Sequence, residues 1–450
     1  MIAIPASWKQ TELGEILLSI VGGGTPSKSN PSYYQGNIPW MSVKDMNKNI
    51  LNDTVDHISE EAVENSSTNV IPPGTPIIAT RMSLGKIVVA NFDTAINQDL
   101  KALFPATGVE RNYLIYWYRS ISSKIEELGT GTTVKGIRLE VLKSLEFPMV
   151  PLAEQKVIAD KLDKLIAQVE TTKARLDRIP QILKTFRQSV LSAAVSGKLT
   201  EEWRGESLTI ADIADFQNGY AFKSDWFETN GEYQVIKLGN IRDGYLAIEN
   251  AAAYLKRDIA EDYIRFTPNR GDTLISMTGT RFKQDYGFGC LVGDETNLLV
   301  NQRVGRLIPD RSVVLPEFLN VFVRSELFRG QFFKGETGGV NQGNVGSKHI
   351  MSINVELPTL EEQTQIVRRV EELFAFADNI EQKANAALER VNKLTQSILA
   401  KAFRGELTAE WRAQNPELIS GDNSAEALLT KIKAEREAMK PSKKTSKKKT

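Results

Sequence analysis

The sequence predicts a mixed α/β protein in which one two-part unit, a globular domain followed by a long helix, is written twice. The two helices are expected to pack as an antiparallel intramolecular coiled coil with pseudo-twofold symmetry. Three observations predict this. LAEQ (152–155) returns as LEEQ (360–363), and GKLTEEWR (197–204) returns as GELTAEWR (405–412), both at an offset of 208 residues. An apolar seam with alternating steps of four and three residues lies between each pair of anchors. Short β-branched runs such as IIAT, KIVVA and LLVNQ, separated by Gly and Pro, fill the segments before the anchors.

The globular copies are related more by order than by residue. PPGTPIIATR (72–81) corresponds to TPNRGDTLISMTGTR (267–281), and INQD (96–99) to VNQR (300–303). Next come GTGTTVKGIR (129–138) and GETGGVNQGNVGSK (335–348), and each domain closes on an apolar strand with proline, LEFP and VELP. The domains are therefore expected at 1–150 and 205–357. Helical regions follow at 151–204 and 358–412, and a tail at 413–450.

In the first helix the seam is Ile158, Leu162, Leu165, Val169, Thr172, Leu176, Ile179, Leu183, Phe186 and Val190, apolar except at Thr172. Adding 208 gives Ile366, Val370, Leu373, Ala377, Ile380, Ala384, Ala387, Val391, Leu394 and Ile398, all apolar. Each helix should run about 40 residues, or roughly 60 Å, to a glycine stop at Gly197 or Gly405. Pro180 removes a backbone donor inside the first helix and is expected to bend it. A core stripe or a homodimeric coiled coil would carry the same seam. The duplication favours pairing within the chain, because the two helices meet at high effective concentration.

Composition removes several classes of function. Basic and acidic residues balance at 56 each, unlike a stand-alone nucleic-acid binder with a basic excess. Phosphate neutralisation on DNA would then have to come from local patches or from partners. Cys290 is the one cysteine, which rules out a disulfide framework. The opening MIAIPASWKQ lacks a signal-peptide pattern, and no apolar run is long enough to span a membrane, so a cytoplasmic location is expected. His57 and His349 fall in different domains and read as surface or hydrogen-bonded residues rather than ligands, so no metal site is expected. GGGTPSK (22–28) and GNVGSK (343–348) miss the glycine-to-lysine spacing of a phosphate loop. No Asn-Pro-Pro-aromatic or Asp-Pro-Pro-Tyr string is present, and the chain reads as non-catalytic, with no cofactor of its own.

The duplicated GKLTEEWR and GELTAEWR blocks, PLAEQKVIADKLDKLIAQVE from Pro151, EEQTQIVRRVEELFAFAD from Glu361 and LTQSILAKAFRGELTAEWRAQNPELISG from Leu394 resemble the specificity subunit of type I restriction–modification enzymes, nearest to the enterobacterial type IA group. The resemblance implies that each globular domain is a target recognition domain reading one half of a split double-stranded DNA target, with the helices as a ruler across the spacer. It also implies partners: two modification subunits that use S-adenosylmethionine to methylate adenine, and two restriction subunits that use ATP and Mg to cut. Because the two domains differ, the target is expected to be bipartite and asymmetric. A self-contained methyltransferase or nuclease with a duplicated DNA reader is the alternative.

Residue chemistry then singles out loops whose side chains match base edges in the major groove. In the first domain these are Arg81, Ser83 and Lys86, with Thr132, Thr133, Lys135 and Arg138. In the second they are Thr280, Arg281, Lys283 and Gln284, with Asn341, Gln342, Asn344 and Lys348. Asn97, Gln98, Asn301 and Gln302 recur in both domains and suit structural hydrogen bonding. Trp203, Arg204, Trp411 and Arg412 are candidates for docking the modification subunits, or else simply pack the helix ends within the chain. The lysine-rich end from Lys440 reads as disordered, either attracting phosphate or acting as a plain solubilising terminus.

Overall fold

Strands from the two halves of the chain assemble in the same order. In the computed structural model, which describes residues 4–131, 134–200, 205–339 and 341–439, the first half forms a sheet whose antiparallel strands are ordered Leu17–Gly22, Leu100–Pro105, Pro76–Ala79, Ile87–Ala90, with the short Ile50–Leu51 added parallel at the last edge. The second half repeats the antiparallel order as Ala214–Asn218, Val304–Pro309, Thr273–Ser276, Gly289–Leu291. A second, mixed sheet recurs as well. Ile38–Met41 lies antiparallel to Asp56–Ile58 and parallel to Thr94–Ile96; Tyr233–Ile236 lies antiparallel to Tyr254–Leu255 and parallel to Leu298–Val300. A two-stranded ribbon ties the start of each domain to its end, Lys9–Glu12 with Glu146–Met149 and Glu206–Thr209 with Asn354–Leu357. The mixed α/β class follows directly from these sheets and the helices on them.

The chain divides into two compact units, Met1–Arg175 with Leu388–Thr450, and Leu176–Ala387. Each holds one globular domain and one half of each long helical stretch. In the first unit Ile158, Leu162 and Ile166 share a core with Leu399 and Ala402. In the second, Val190, Leu191, Ala194 and Val195 share a core with Ile366 and Val370. The beginning of one helical stretch thus meets the end of the other inside each unit, as antiparallel pairing requires. Arg187 adds a cross-helix ion pair in the second unit, to Asp378 at 2.7 Å and Glu381 at 2.8 Å.

Two details depart from the seam. Pro180 does more than bend the first helix: it is interrupted at 177–178, into Leu152–Leu176 and Ile179–Val195, with Pro180 in the first turn of the second piece. There its missing N–H breaks no intrahelical bond. The other helix runs unbroken from Leu360 to Phe403. Near its end Leu394 is 44% exposed while Leu399 and Ala402 are buried. A helix of 3.6 residues per turn drifts away from a strict seven-residue repeat, and here the buried stripe also faces the globular core. Both glycine stops hold: Gly197 and Gly405 have φ of 74° and 78°, and the next amides, of Lys198 and Glu406, reach back to the carbonyls of Ala193 and Lys401.

The repeated glutamine of LAEQ and LEEQ fastens helix to domain. The fully buried Gln155 carboxamide accepts from the Glu110 N–H at 2.8 Å and donates to the carbonyls of Gly108 and Val150 at 3.1 and 2.8 Å. Gln363 repeats this with the Leu315 N–H at 2.7 Å and the carbonyls of Val313 and Pro358 at 3.0 and 2.8 Å. The glutamate beside each has diverged. Glu154 is fully buried between the Trp8 indole N–H at 3.0 Å, the Thr408 hydroxyl at 2.6 Å and the Arg412 guanidinium, which also lies over the Trp8 ring. Glu362 instead closes a capping box with Thr359 at the start of its helix.

The segment 413–450 is more than a tail. Helix Ala425–Ala438 packs Ala425, Leu428, Leu429 and Ile432 into the first unit's core. Glu435 accepts from Thr107, and Arg436 pairs with Glu15 at 2.7 Å. The lysine-rich end from Lys440 lies outside the described residues. Among the described residues no helix is long and apolar enough to cross a membrane.

Gln155→Ala strands three backbone groups in the first unit, and chemical denaturation should register a loss of about 2–4 kcal/mol. Arg412→Ala leaves a buried carboxylate unpaired and should lower stability by about 3–5 kcal/mol. Combining it with Glu154→Gln, which removes that charge, should recover part of the loss; a double variant no better than the single one would show that the ion pair is not what Arg412 supplies.

Candidate nucleic-acid interface

Hydrogen bonds join the two candidate loops of the first domain into one surface. Strand Pro76–Ala79 leads into Thr80, whose N–H and hydroxyl both reach the Asp99 carbonyl, at 2.8 and 2.9 Å. From there Ile137 donates to the Thr80 carbonyl and Met82 to the Lys135 carbonyl, each at 3.0 Å, while Thr130 and Gly136 exchange bonds of 2.9 and 2.8 Å. Residues 81–86 therefore lie beside 130–131 and 134–138. Arg81 is 63% exposed with its guanidinium 3.8 Å from the buried Asp99 carboxylate. Lys86, Lys135 and Arg138 are exposed, and Ser83 is half-buried in the turn that follows Arg81. Thr132 and Thr133 lie outside the described residues.

The second domain repeats the arrangement with more regular structure. Thr278–Gly279 pairs with Gly343–Val345, which also pairs with Glu336–Gly338. Thr280, Arg281, Lys283 and Gln284 follow the first strand; Asn341 and Gln342 precede the second, Asn344 sits in it, and Lys348 is exposed on helix Ser347–Met351. Arg281 turns partly inward, donating to the Gly338 carbonyl at 3.2 Å and lying 3.7 Å from Glu336, so it braces the paired segments as well as edging the surface. Thr280 is fixed by its N–H to Asp285 at 2.7 Å, a bond that with the Thr280 hydroxyl offsets burial and holds the Asp285 carboxyl below its ordinary range.

A residue the sequence did not single out builds this second loop. Arg329, on helix Glu326–Phe332, donates to the carbonyls of Gln284, Tyr286 and Gly287 at 3.0, 2.9 and 3.0 Å, with its guanidinium over the rings of Phe288 and Phe333. The three carbonyls lie more than forty positions away in the chain, and no local motif announces them. Burial pulls its pKa below the usual guanidinium value.

The recurring amide residues behave unequally. Asn97 is buried and holds Asp99, accepting from its N–H at 3.1 Å, and the exposed Gln98 accepts from Thr25. In the second domain it is the backbone that is anchored, Asn301 N–H to Ile236 and Gln302 N–H to Tyr220. His57 bonds Asp53 at 3.0 Å and His349 the Gln331 carbonyl at 2.9 Å. Cys290 is buried. Of the docking candidates, Arg412 has its guanidinium turned into the chain on Glu154 and Gly405, which makes it a structural closure and not a free anchor. Trp411 is half-buried on helix Ala409–Gln414, while Trp203 and Arg204 lie outside the described residues.

Arg329→Ala releases three carbonyls at once. It is expected to lower stability by about 1–3 kcal/mol, read as an earlier midpoint in chemical denaturation.

Comparison with known proteins agrees with this duplicated design. The family model for the type I restriction modification DNA specificity domain matches twice, at residues 5–181 and 201–390. The chain is 42% identical to the EcoKI specificity subunit of Escherichia coli K12, over 73% of this chain and 72% of that one. It is 40% identical to the EcoBI specificity subunit of Escherichia coli over 72% of each, and 34% identical to the EcoDI specificity subunit over 99% of each. Its fold is similar to a chain from a structure of complex assembly in the type I R-M system, with TM-score 0.66, 16% identity, and coverage of 90% of this chain and 99% of that one. The HsdS subunit from Thermoanaerobacter tengcongensis gives TM-score 0.57 at 16% identity, covering 90% and 98%. With two matches that together span most of its length, each on one copy of the repeated scaffold, the chain belongs to the type I restriction modification DNA specificity family.

Proposed function

We propose that this chain is the DNA-sequence specificity subunit of a type I restriction–modification complex. It recognises a bipartite, asymmetric double-stranded target and directs adenine methylation and ATP-dependent cleavage by partner subunits. The observation that carries the reading is the joined loop pair, present once per domain on the same strand order but with unlike side chains: Arg81, Ser83, Lys86, Lys135 and Arg138 in one, Arg281, Lys283, Gln284, Asn341, Gln342, Asn344 and Lys348 in the other. Cationic and amide side chains on neighbouring exposed loops can meet phosphates and the donor and acceptor groups of base edges together. Different sets in the two domains read different half-sites.

The chemistry belongs to the partners in this reading. Two modification subunits supply S-adenosylmethionine-dependent methylation, and two restriction subunits supply ATP- and Mg-dependent translocation and cutting. The balanced charge of the chain suits it, since a protein with 56 basic and 56 acidic residues holds DNA better within an assembly whose other members add cations. Trp411 remains the candidate anchor for a modification subunit, aromatic residues being frequent centres of interface energy.

The purified chain, its modification partner and S-adenosylmethionine form the test, with methylated adenines mapped by sequencing. A split, asymmetric target modified only when both proteins are present is expected. Methylation or cleavage by the chain alone would instead favour a self-contained enzyme. Arg281→Ala should weaken binding by about 1–3 kcal/mol and relax preference within one half-site only, and an unchanged target and affinity would remove Arg281 from the reading surface.

A further inference from the structure

Each reading loop contains one residue held in a backbone conformation that side chains rarely adopt. Met82 has φ of 61° and Gln284 of 47°; among the described residues only Ala251 and Asn297 are other non-glycine residues with positive φ. Glycine would occupy such a position without strain, and any other residue carries a local cost. Both are pinned, Met82 through its N–H on the Lys135 carbonyl and Gln284 through its carbonyl on Arg329. Both side chains are left exposed.

Their chemistry differs. Gln284 is an ordinary reader of polar base edges, but Met82 is an apolar side chain left 55% exposed, and Val134, the residue before the Lys135 whose carbonyl the Met82 N–H meets, is 48% exposed. Met82 also lines a surface hollow of about 280 Å³ with Ser83, Leu84, Lys86, Glu126 and Lys135. Lys86 and Lys135 line it beside Glu126, and the exposed Arg81 precedes Met82 in the loop, a setting that suits a polyanion better than an apolar protein partner. The major-groove face of DNA carries one apolar recognition group, the C5-methyl of thymine.

We propose that Met82, supported by Val134, reads the C5-methyl group of a thymine in the half-site of the first domain. The left-handed backbone turns this side chain out of the loop while the flanking cations hold the phosphates, so apolar contact is made where water would otherwise cover both groups. The inference rests on the specificity role proposed above.

Deoxyuridine differs from thymidine only by the missing methyl group. Using the full chain with its modification subunit on the mapped target, each thymine of the first half-site is replaced in turn by deoxyuridine. At one position affinity should fall about three- to tenfold, the range expected for losing one or two buried methyl-sized contacts. Met82→Ala should lower affinity for the unmodified duplex by a similar factor and abolish the thymine-over-uracil preference at that position alone, while Met82→Leu keeps the preference. Met82→Gly, which relieves the backbone, should fold with undiminished thermal stability yet lose the preference, separating reading from folding. Indifference of the parent protein to every replacement, a preference that survives Met82→Ala, or a first half-site without an A·T pair would each overturn the proposal. None of these would touch the specificity role, which fails only if no partner-dependent methylation of a split target occurs.

Discussion

Each long helix is fastened to its globular domain by a buried glutamine. Gln155 and Gln363 lie where a long helix leaves its globular domain, and each carboxamide accepts one backbone N–H and donates to two backbone carbonyls. Glutamate cannot make that set, since an ionised carboxylate only accepts, and methionine of similar length has no N–H to give. Because all three backbone groups would otherwise be stranded in the interior, helix and domain are locked in one relative placement within each unit. A loop can discriminate base edges only if it is held to fractions of an ångström, and this joint is the first requirement for that.

Beyond the joint, the copies reach the same arrangement by different contacts. In the first domain Asp99, itself held by Asn97, sits beneath Arg81 and Thr80. In the second a three-stranded pairing, Asp285 and Arg329 carry the equivalent loop. Divergence is greatest where side chains face solvent and least where they close the joint. That pattern separates a scaffold serving any target from a surface tuned to one. The glutamates of LAEQ and LEEQ fit neither class: Glu154 was drawn into a buried ion pair with Arg412, Thr408 and Trp8, and Glu362 became a helix cap.

Much of this was legible without coordinates. The 208-residue offset marked the two joints, because groups that must be satisfied in the same way need the same residues. The seam marked the helices and their facing sides, since apolar periodicity is set by 3.6 residues per turn whatever the partner. Gly197 and Gly405 marked the stops, both left-handed as a glycine stop requires. Joining the loops 81–86 with 130–138, and 280–284 with 341–348, was prepared by their common order in both copies.

What the tertiary structure decided involves contacts distant in sequence. Pro180 signalled a disturbance, but that it falls as a clean break at 177–178, with Pro180 in the first turn of a new helix, is seen only in the folded chain. Helix Ala425–Ala438 looked like part of a charged tail because its burial needs a core built by residues some three hundred positions earlier. Arg329 and Met82 belong to no motif in the sequence, and their roles follow only from the folded contacts. Local sequence fixes periodicity, caps and turns, which act over a few residues. Which arginine braces a loop, and which side chain that loop then presents, is set by long-range hydrogen bonds that exist only once the chain has folded.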